Sequence, residues 1–167
     1  MAVVLLTGMS GVGKSTVLAE LTQLGHRGVD TDRGGWVEQV LVAGQAHPEP
    51  LWRADRMTAL LDGHTAGHLF LAGTVANQGA FHHRFAAVVL LTVPVEVALD
   101  RLATRTTNDF GKRDAERARV VADFAEVEPL LCRRATLVVD TRRPLAEVVE
   151  AVLQLAGADQ LGPTVSR

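Results

Sequence analysis

Eight residues near the start, Gly8-Met9-Ser10-Gly11-Val12-Gly13-Lys14-Ser15, fit the spacing G-x-x-x-x-G-K-[ST]. Glycines at both ends of such a loop let successive backbone N–H groups turn inward around a group dense in negative charge. Lys14 adds a point charge for the β- and γ-oxygens of a triphosphate, Ser15 a hydroxyl for Mg²⁺, and Thr16 continues into a first helical turn. The stretch lies between an apolar run, Ala2 to Thr7, and a segment of helical period, the context a phosphate-binding loop requires. Gly8 through Thr16 are therefore expected to hold a nucleoside triphosphate, and the absence of an N-K-x-D base-reading pattern disfavours a GTPase switch.

Two carboxylates follow in Gly28-Val29-Asp30-Thr31-Asp32. Two positions apart in an extended segment, they point to one side. The carboxyl ends of strands in an open parallel sheet border the ligand crevice, so the pair is expected across from the phosphate loop. Asp30 is the candidate for Mg²⁺, through water, and Asp32 for orienting or deprotonating an acceptor hydroxyl. The plainer alternative is a solvated strand-end turn. The third strand, LFLAGT, lacks the terminal acid that holds the metal in other nucleotide-hydrolysing folds, which leaves that task to the pair.

Arg101 and Arg105 are four apart on one helical face. The polar segment ATRTTNDFGKRDAER that follows loses the apolar period and carries Gly111, as a lid over residues 104–114 would. Arg105 suits the moving phosphoryl group and Arg101 stacking on a base, unless both simply belong to a solvated face. An acceptor would lie between the acids, the Gly73 to Gly79 loop and a middle segment, residues 33–67, read as a cap. Asn77 and Gln78 could hydrogen-bond a polyol, sugar or base edge, or tie down their own turn. Arg33, Arg53, Arg56 and Arg84 are candidate anchors, Arg56 foremost, and Trp36 and Trp52 either wall the pocket or fill core. His64, His68, His82 and His83 lack the acid or cysteine spacing of a zinc site.

The elements that must position these residues alternate short apolar runs with helical segments, the pattern of an α/β fold with parallel strands. Strands are expected at Ala2 to Thr7, Gly28 to Thr31, His68 to Gly73, Ala86 to Val93 and Thr136 to Asp140. Helices are expected from Ser15 to Leu24, near Gly35 to Val42, from Leu51 to Leu61, and after Pro94 and Pro144. The 167 residues, 47% of them hydrophobic, suit one domain, residues 1–156, with a flexible tail over 157–167. A net charge of -2 gives no broad attraction to nucleic acid or an anionic membrane. The lone cysteine, Cys132, is expected simply to pack, and with no targeting or spanning segment the expected location is the cytoplasm.

With those residues in place, GMSGVGKSTVLAEL followed by the acids of VDTD resembles the opening of shikimate kinases. DRLATR and VVDTRRPLAEVVEAVL extend the resemblance to the adenylate-kinase-like branch of P-loop small-molecule kinases, shikimate and gluconate kinases among them. The resemblance implies a three-layer α/β P-loop NTPase sandwich with a five-stranded parallel sheet in the order 2-3-1-4-5, a helical substrate cap and a lid. It also implies that Asp32 meets the acceptor hydroxyl, that Asp30 lies near Mg²⁺, and that the loop from Thr141 to Pro144, with Arg143, packs beside adenine. Gly73-Thr74-Val75 replaces the shikimate-kinase glycine triplet, and Asn108-Asp109-Phe110-Gly111-Lys112 replaces its Arg-Pro-Leu lid. Those two segments look instead like small bacterial AAA-type, shikimate kinase-like ATP-binding proteins. The expected activity is ATP-dependent, Mg²⁺-dependent phosphorylation of a hydroxyl on a small-molecule acceptor, by a monomer or homodimer. A nucleoside monophosphate kinase and a nucleotide-binding ATPase module without acceptor are the alternatives.

Overall fold

A computed structural model describes residues 1–44 and 47–158. In chain order its elements are β1 (Ala2–Thr7), α1 (Lys14–Gln23), β2 (Arg27–Asp30), β3 (Val37–Val40), β4 (Glu49–Trp52), α2 (Ala54–Asp62), β5 (His68–Ala72), a 3-10 helix (Ala76–Arg84), β6 (Ala87–Thr92), α3 (Val95–Thr104), α4 (Asp114–Glu126), α5 (Glu128–Cys132), β7 (Leu137–Asp140) and α6 (Leu145–Ala158). Five strands pair in parallel as one sheet, β2-β5-β1-β6-β7, the central ones unbroken apolar runs and the edge strand β2 the short RGVD. Strand numbers differ from the expected 2-3-1-4-5 because β3 and β4 intervene in the chain and form a separate two-stranded hairpin.

Residues alternate across the sheet and so divide the core in two. Val4, Leu6 and Phe70 pack with α1 and α6 through Val17, Leu21, Val148 and Val152. Leu5, Leu69 and Leu71 pack on the other face with Met57, Leu60 and Leu61 of α2 and with Trp52 and Phe81. A parallel strand covered on both faces has to be apolar throughout, which is why these runs are unbroken.

The helical cap expected over residues 33–67 is half right. Leu51 to Leu61 divides into the end of β4 and α2, while Gly35 to Val42 contains β3. Four residues such as Val37 to Val40 satisfy a period of two as well as one of 3.6, and pairing with β4 decides between them, Val37 opposite Trp52 and Val40 opposite Glu49. Pro50, which has no N–H to donate, fits an isolated antiparallel pair and would not fit a central strand. Helices α4 and α5 are further additions, formed from the end of the expected 104–114 lid onward by residues for which no element was expected. Cys132 is exposed, so the expectation that it packs fails. Helix α6 extends through Ala158, so the expected tail begins inside it, and residues 159–167 lie outside the described structure. Among the described residues no helix is long and apolar enough to cross a membrane.

Candidate active site

The loop between β1 and α1 is shaped by three glycines at positive φ: Gly8 at 148°, Gly11 at 84° and Gly13 at 100°. A Cβ on Gly8 would stand 2.3 Å from the Leu91 carbonyl oxygen, and one on Gly11 would stand 2.7 Å from that of Ala98. Gly11 occupies an unconstrained position of the G-x-x-x-x-G-K-[ST] pattern, and here the approach of α3 dictates it. Val12 anchors the loop in the core, whereas Met9 and Ser10 line the cleft and Thr16 is exposed on α1. No side chain caps the N terminus of α1 at Gly13, so its first N–H groups stay open to an anion. Lys14 Nζ donates to the carbonyl oxygens of Gly8, at 2.6 Å, and Met9, at 3.1 Å, holding the ammonium over the loop. A polyphosphate fits this cradle of open amides and one cation.

Strand β2 ends at Asp30 beside the loop. Ser15 Oγ donates to Asp30 Oδ2 at 3.0 Å, and the Asp32 N–H donates to Asp30 Oδ1 at 3.1 Å. Ser15 and Asp30 thus offer two hard oxygens side by side, a donor set that fits Mg²⁺ completed by phosphate and water. Thr31, between the acids, turns inward and is 1% exposed. Its hydroxyl donates to the Ala72 carbonyl at 2.8 Å and accepts Trp52 Nε1–H at 3.0 Å. The Trp52 N–H donates to Asn77 Oδ1, and Asn77 Nδ2 donates back to the Trp52 carbonyl. Trp52 and Asn77 therefore brace the acid pair from behind. Asn77, expected to meet an acceptor, has both amide groups engaged in this bracing.

Gln78 is buried and lines the cleft, its Oε1 accepting the Thr7 hydroxyl and the Val75 N–H, while no hydrogen bond among the described residues uses its amide nitrogen. Thr74, which no sequence signal marks, accepts the Gly8 N–H at 3.1 Å and lies 3.0 Å from the Thr7 hydroxyl, so the loop after β5 is sewn to the phosphate loop.

Lys14 and Asp32 perturb each other across the cleft. Burial lowers the Lys14 pKa against the attraction of Asp32 and Asp30, and the positive charge of Arg105 lowers it further. Asp32 is exposed, yet partial loss of hydration at the cleft wall raises its carboxyl above the ordinary value, with Lys14 opposing. Arg105 donates from Nε to the Asn108 carbonyl at 3.1 Å and from Nη2 to that of Phe110 at 3.0 Å. It thereby folds residues 105–113 toward the cleft, which Asn108 and Phe110 line.

Other expected contacts lie elsewhere. Arg56 donates to the carbonyls of Gly34 and Gly35, both at 2.8 Å, and lies over the Trp36 ring at 4.5 Å. Like Arg33, Arg53 and Arg84, Arg56, expected as an acceptor anchor, does not line the cleft. Arg101 binds Thr141 and the Val12 carbonyl. Arg143 pairs with Glu147, and the Pro144 carbonyl accepts the N–H groups of Glu147 and Val148 in the first turn of α6. Among the described residues no three His, Cys, Asp or Glu side chains converge as a metal site.

The cleft, about 1030 Å³, runs from Gly8 and Lys14 past Asp32 and Thr74 to the hairpin, where Gln39 and Glu49 face it. Its far wall is Arg119 and Asp123 of α4 and Arg134 after α5. Burial raises the Asp123 pKa, with Arg119 opposing. Sequence reading missed this wall because a polar helix next to a glycine-bearing loop reads as more loop.

A five-stranded parallel sheet with G-x-x-x-x-G-K-S between its central strand and first helix defines a P-loop nucleotide-binding protein. The chain belongs to the AAA domain family, whose model matches residues 4–122. Its fold is that of shikimate and gluconate kinases. A shikimate kinase from Acinetobacter baumannii in complex with shikimate is similar at 19% identity over 96% of both chains, with a TM-score of 0.62. A gluconokinase from Sinorhizobium meliloti 1021 matches at 17% identity over 94% of this chain and 92% of its own, TM-score 0.59. A sugar kinase from Janibacter sp. HTCC2649 matches at 19% identity over 100% and 99%, TM-score 0.59. No curated protein matches the sequence significantly.

Proposed function

We propose that this protein transfers the γ-phosphate of ATP to a hydroxyl of a small metabolite, with Mg²⁺. The observation that carries the reading is the placement of Asp32. It lines the same cleft as the phosphate-loop lysine, its N–H bonded to Asp30, and it borders a compartment that extends well beyond the phosphate cradle. A bare ATPase has no use for that second compartment. The similar solved structures carry the names of shikimate, glucono- and sugar kinases, which supports the same division of the cleft.

The loop amides and Lys14 would hold the phosphate oxygens, and Ser15 with Asp30 would hold Mg²⁺, which would supply positive charge against the polyphosphate. Asp32 takes the proton of the acceptor hydroxyl on its carboxylate as the bond from that oxygen to phosphorus forms and the bond from phosphorus to ADP breaks. Its raised pKa makes it a stronger base than an ordinary carboxylate. Arg105 brings positive charge to the Lys14 end and ties the 105–113 segment that excludes water. Gln78 offers its unused amide nitrogen to the acceptor. A nucleoside monophosphate as acceptor is less well supported, because the cap arginines stay out of the cleft.

ADP release, coupled to an optical readout, tests the reading against sugars, polyols, aminocyclitols, nucleosides and nucleoside monophosphates, with Lys14→Ala as the blank. One acceptor should stimulate release. Equal release with every compound at an ordinary enzymatic rate would favour the ATPase module.

A further inference from the structure

One network beside the phosphate loop has no part in the chemistry above. Thr141 leaves the end of β7, and its Oγ1 donates to the Val12 carbonyl oxygen at 2.6 Å. Arg101, in the last turn of α3, donates from Nη1 to Thr141 Oγ1 at 2.8 Å and to the same Val12 oxygen at 3.3 Å. Its Nη2 donates to the Thr141 carbonyl at 3.0 Å. Residues 129 positions apart in the chain are thus joined at one loop carbonyl.

The peptide plane gives this clasp its consequence. In a trans peptide the C=O of one residue and the N–H of the next point in opposite directions. Holding the Val12 carbonyl on Thr141 and Arg101 therefore turns the Gly13 N–H away from the clasp. Gly13 is the residue at which α1 begins, at φ 100°, with no side-chain cap. None of the backbone hydrogen bonds among the described residues uses its N–H. A Cβ on Gly13 would come no nearer than 3.8 Å to Arg101 Nη1 and 3.9 Å to Thr141 Oγ1, so the clasp backs this residue without crowding it.

We propose that Thr141 and Arg101 are positioning residues that fix the Val12–Gly13 peptide so that the Gly13 N–H is presented to the bound polyphosphate. This rests on the reading of the loop as a nucleotide site. It assigns Arg101 to the loop backbone, where sequence reading placed it on the base. It also makes the turn after β7, distant in sequence, part of the phosphate site.

Isothermal titration of wild-type protein, Thr141→Val and Thr141→Ser with ATP, tripolyphosphate and adenosine tests this. Valine keeps the shape and removes the hydroxyl; serine restores it. Thr141→Val should bind tripolyphosphate and ATP about tenfold more weakly, the effect of one misdirected hydrogen bond. Adenosine affinity should not change, and Thr141→Ser should stay within about twofold of wild type for all three. A merely structural loss would lower melting temperature without separating tripolyphosphate from adenosine. The proposal is overturned if Thr141→Val keeps wild-type tripolyphosphate affinity, or if adenosine alone weakens, which would make Thr141 a base contact. Failure of the wild-type protein to bind either ATP or tripolyphosphate would overturn the nucleotide reading itself, and the clasp with it.

Discussion

The phosphate end of the cleft is mainly backbone from one short loop with the Lys14 ammonium over it, whereas the far end is side chains gathered from the turn after β2, the hairpin, the loop after β5, α4 and α5. Backbone donors aimed at a fixed geometry depend on glycines at positive φ, and few other sequences can supply them. Side chains converging from five segments depend on how those segments pack, and many sequences can do that. The first end is therefore rigid in kind and explicit in sequence. The second can change its side chains without changing the scaffold.

Substitutions that damage one end and spare the other test this contrast, and the largest effects belong at the phosphate end. Lys14→Ala should abolish measurable ATP binding and lower turnover by about a thousandfold or more, read by titration and by ADP release. Asp32→Asn should leave ATP affinity within about twofold and lower acceptor-dependent turnover by about a hundredfold or more. In the wild type a protonated Asp32 cannot accept the hydroxyl proton, so turnover should fall as pH drops through its raised pKa. The acid limb should lie at higher pH than an ordinary carboxylate gives, and Asp32→Asn should lose it. Gly8→Ala combines a φ of 148° with a Cβ 2.3 Å from the Leu91 oxygen, and should lower stability by about 2 kcal/mol or more in denaturant melts. Trp52→Phe removes the indole N–H from Thr31 and should cost about 1 kcal/mol. It should also raise the acceptor KM through Asp32, with any loss of ATP affinity confined to the Mg²⁺ complex through Asp30.

The same contrast explains what could be read in advance. The loop, the acid pair and the five sheet strands were legible because each has a short-range cause: glycine spacing, alternation, or an unbroken apolar run. Gly11 was legible only as a nucleotide contact, since the reason it must be glycine is the Ala98 carbonyl of a helix nearly ninety positions on. The hairpin was misread because four-residue strands carry too little period to exclude a helix. Asn77 and Arg56 were read toward an acceptor, but their partners, the Trp52 backbone and the carbonyls of Gly34 and Gly35, exist only once the chain has folded. Thr74, Arg119, Asp123 and Arg134 carry no local signal at all.

The most direct test of the central claim is ADP release by wild type and Asp32→Asn, each with and without the best acceptor of the panel. The account predicts acceptor-stimulated release in the wild type, a phosphorylated acceptor by mass spectrometry, and loss of the stimulation in Asp32→Asn with ATP binding intact. Stimulation that survives Asp32→Asn undiminished, or release that yields only inorganic phosphate, would contradict it.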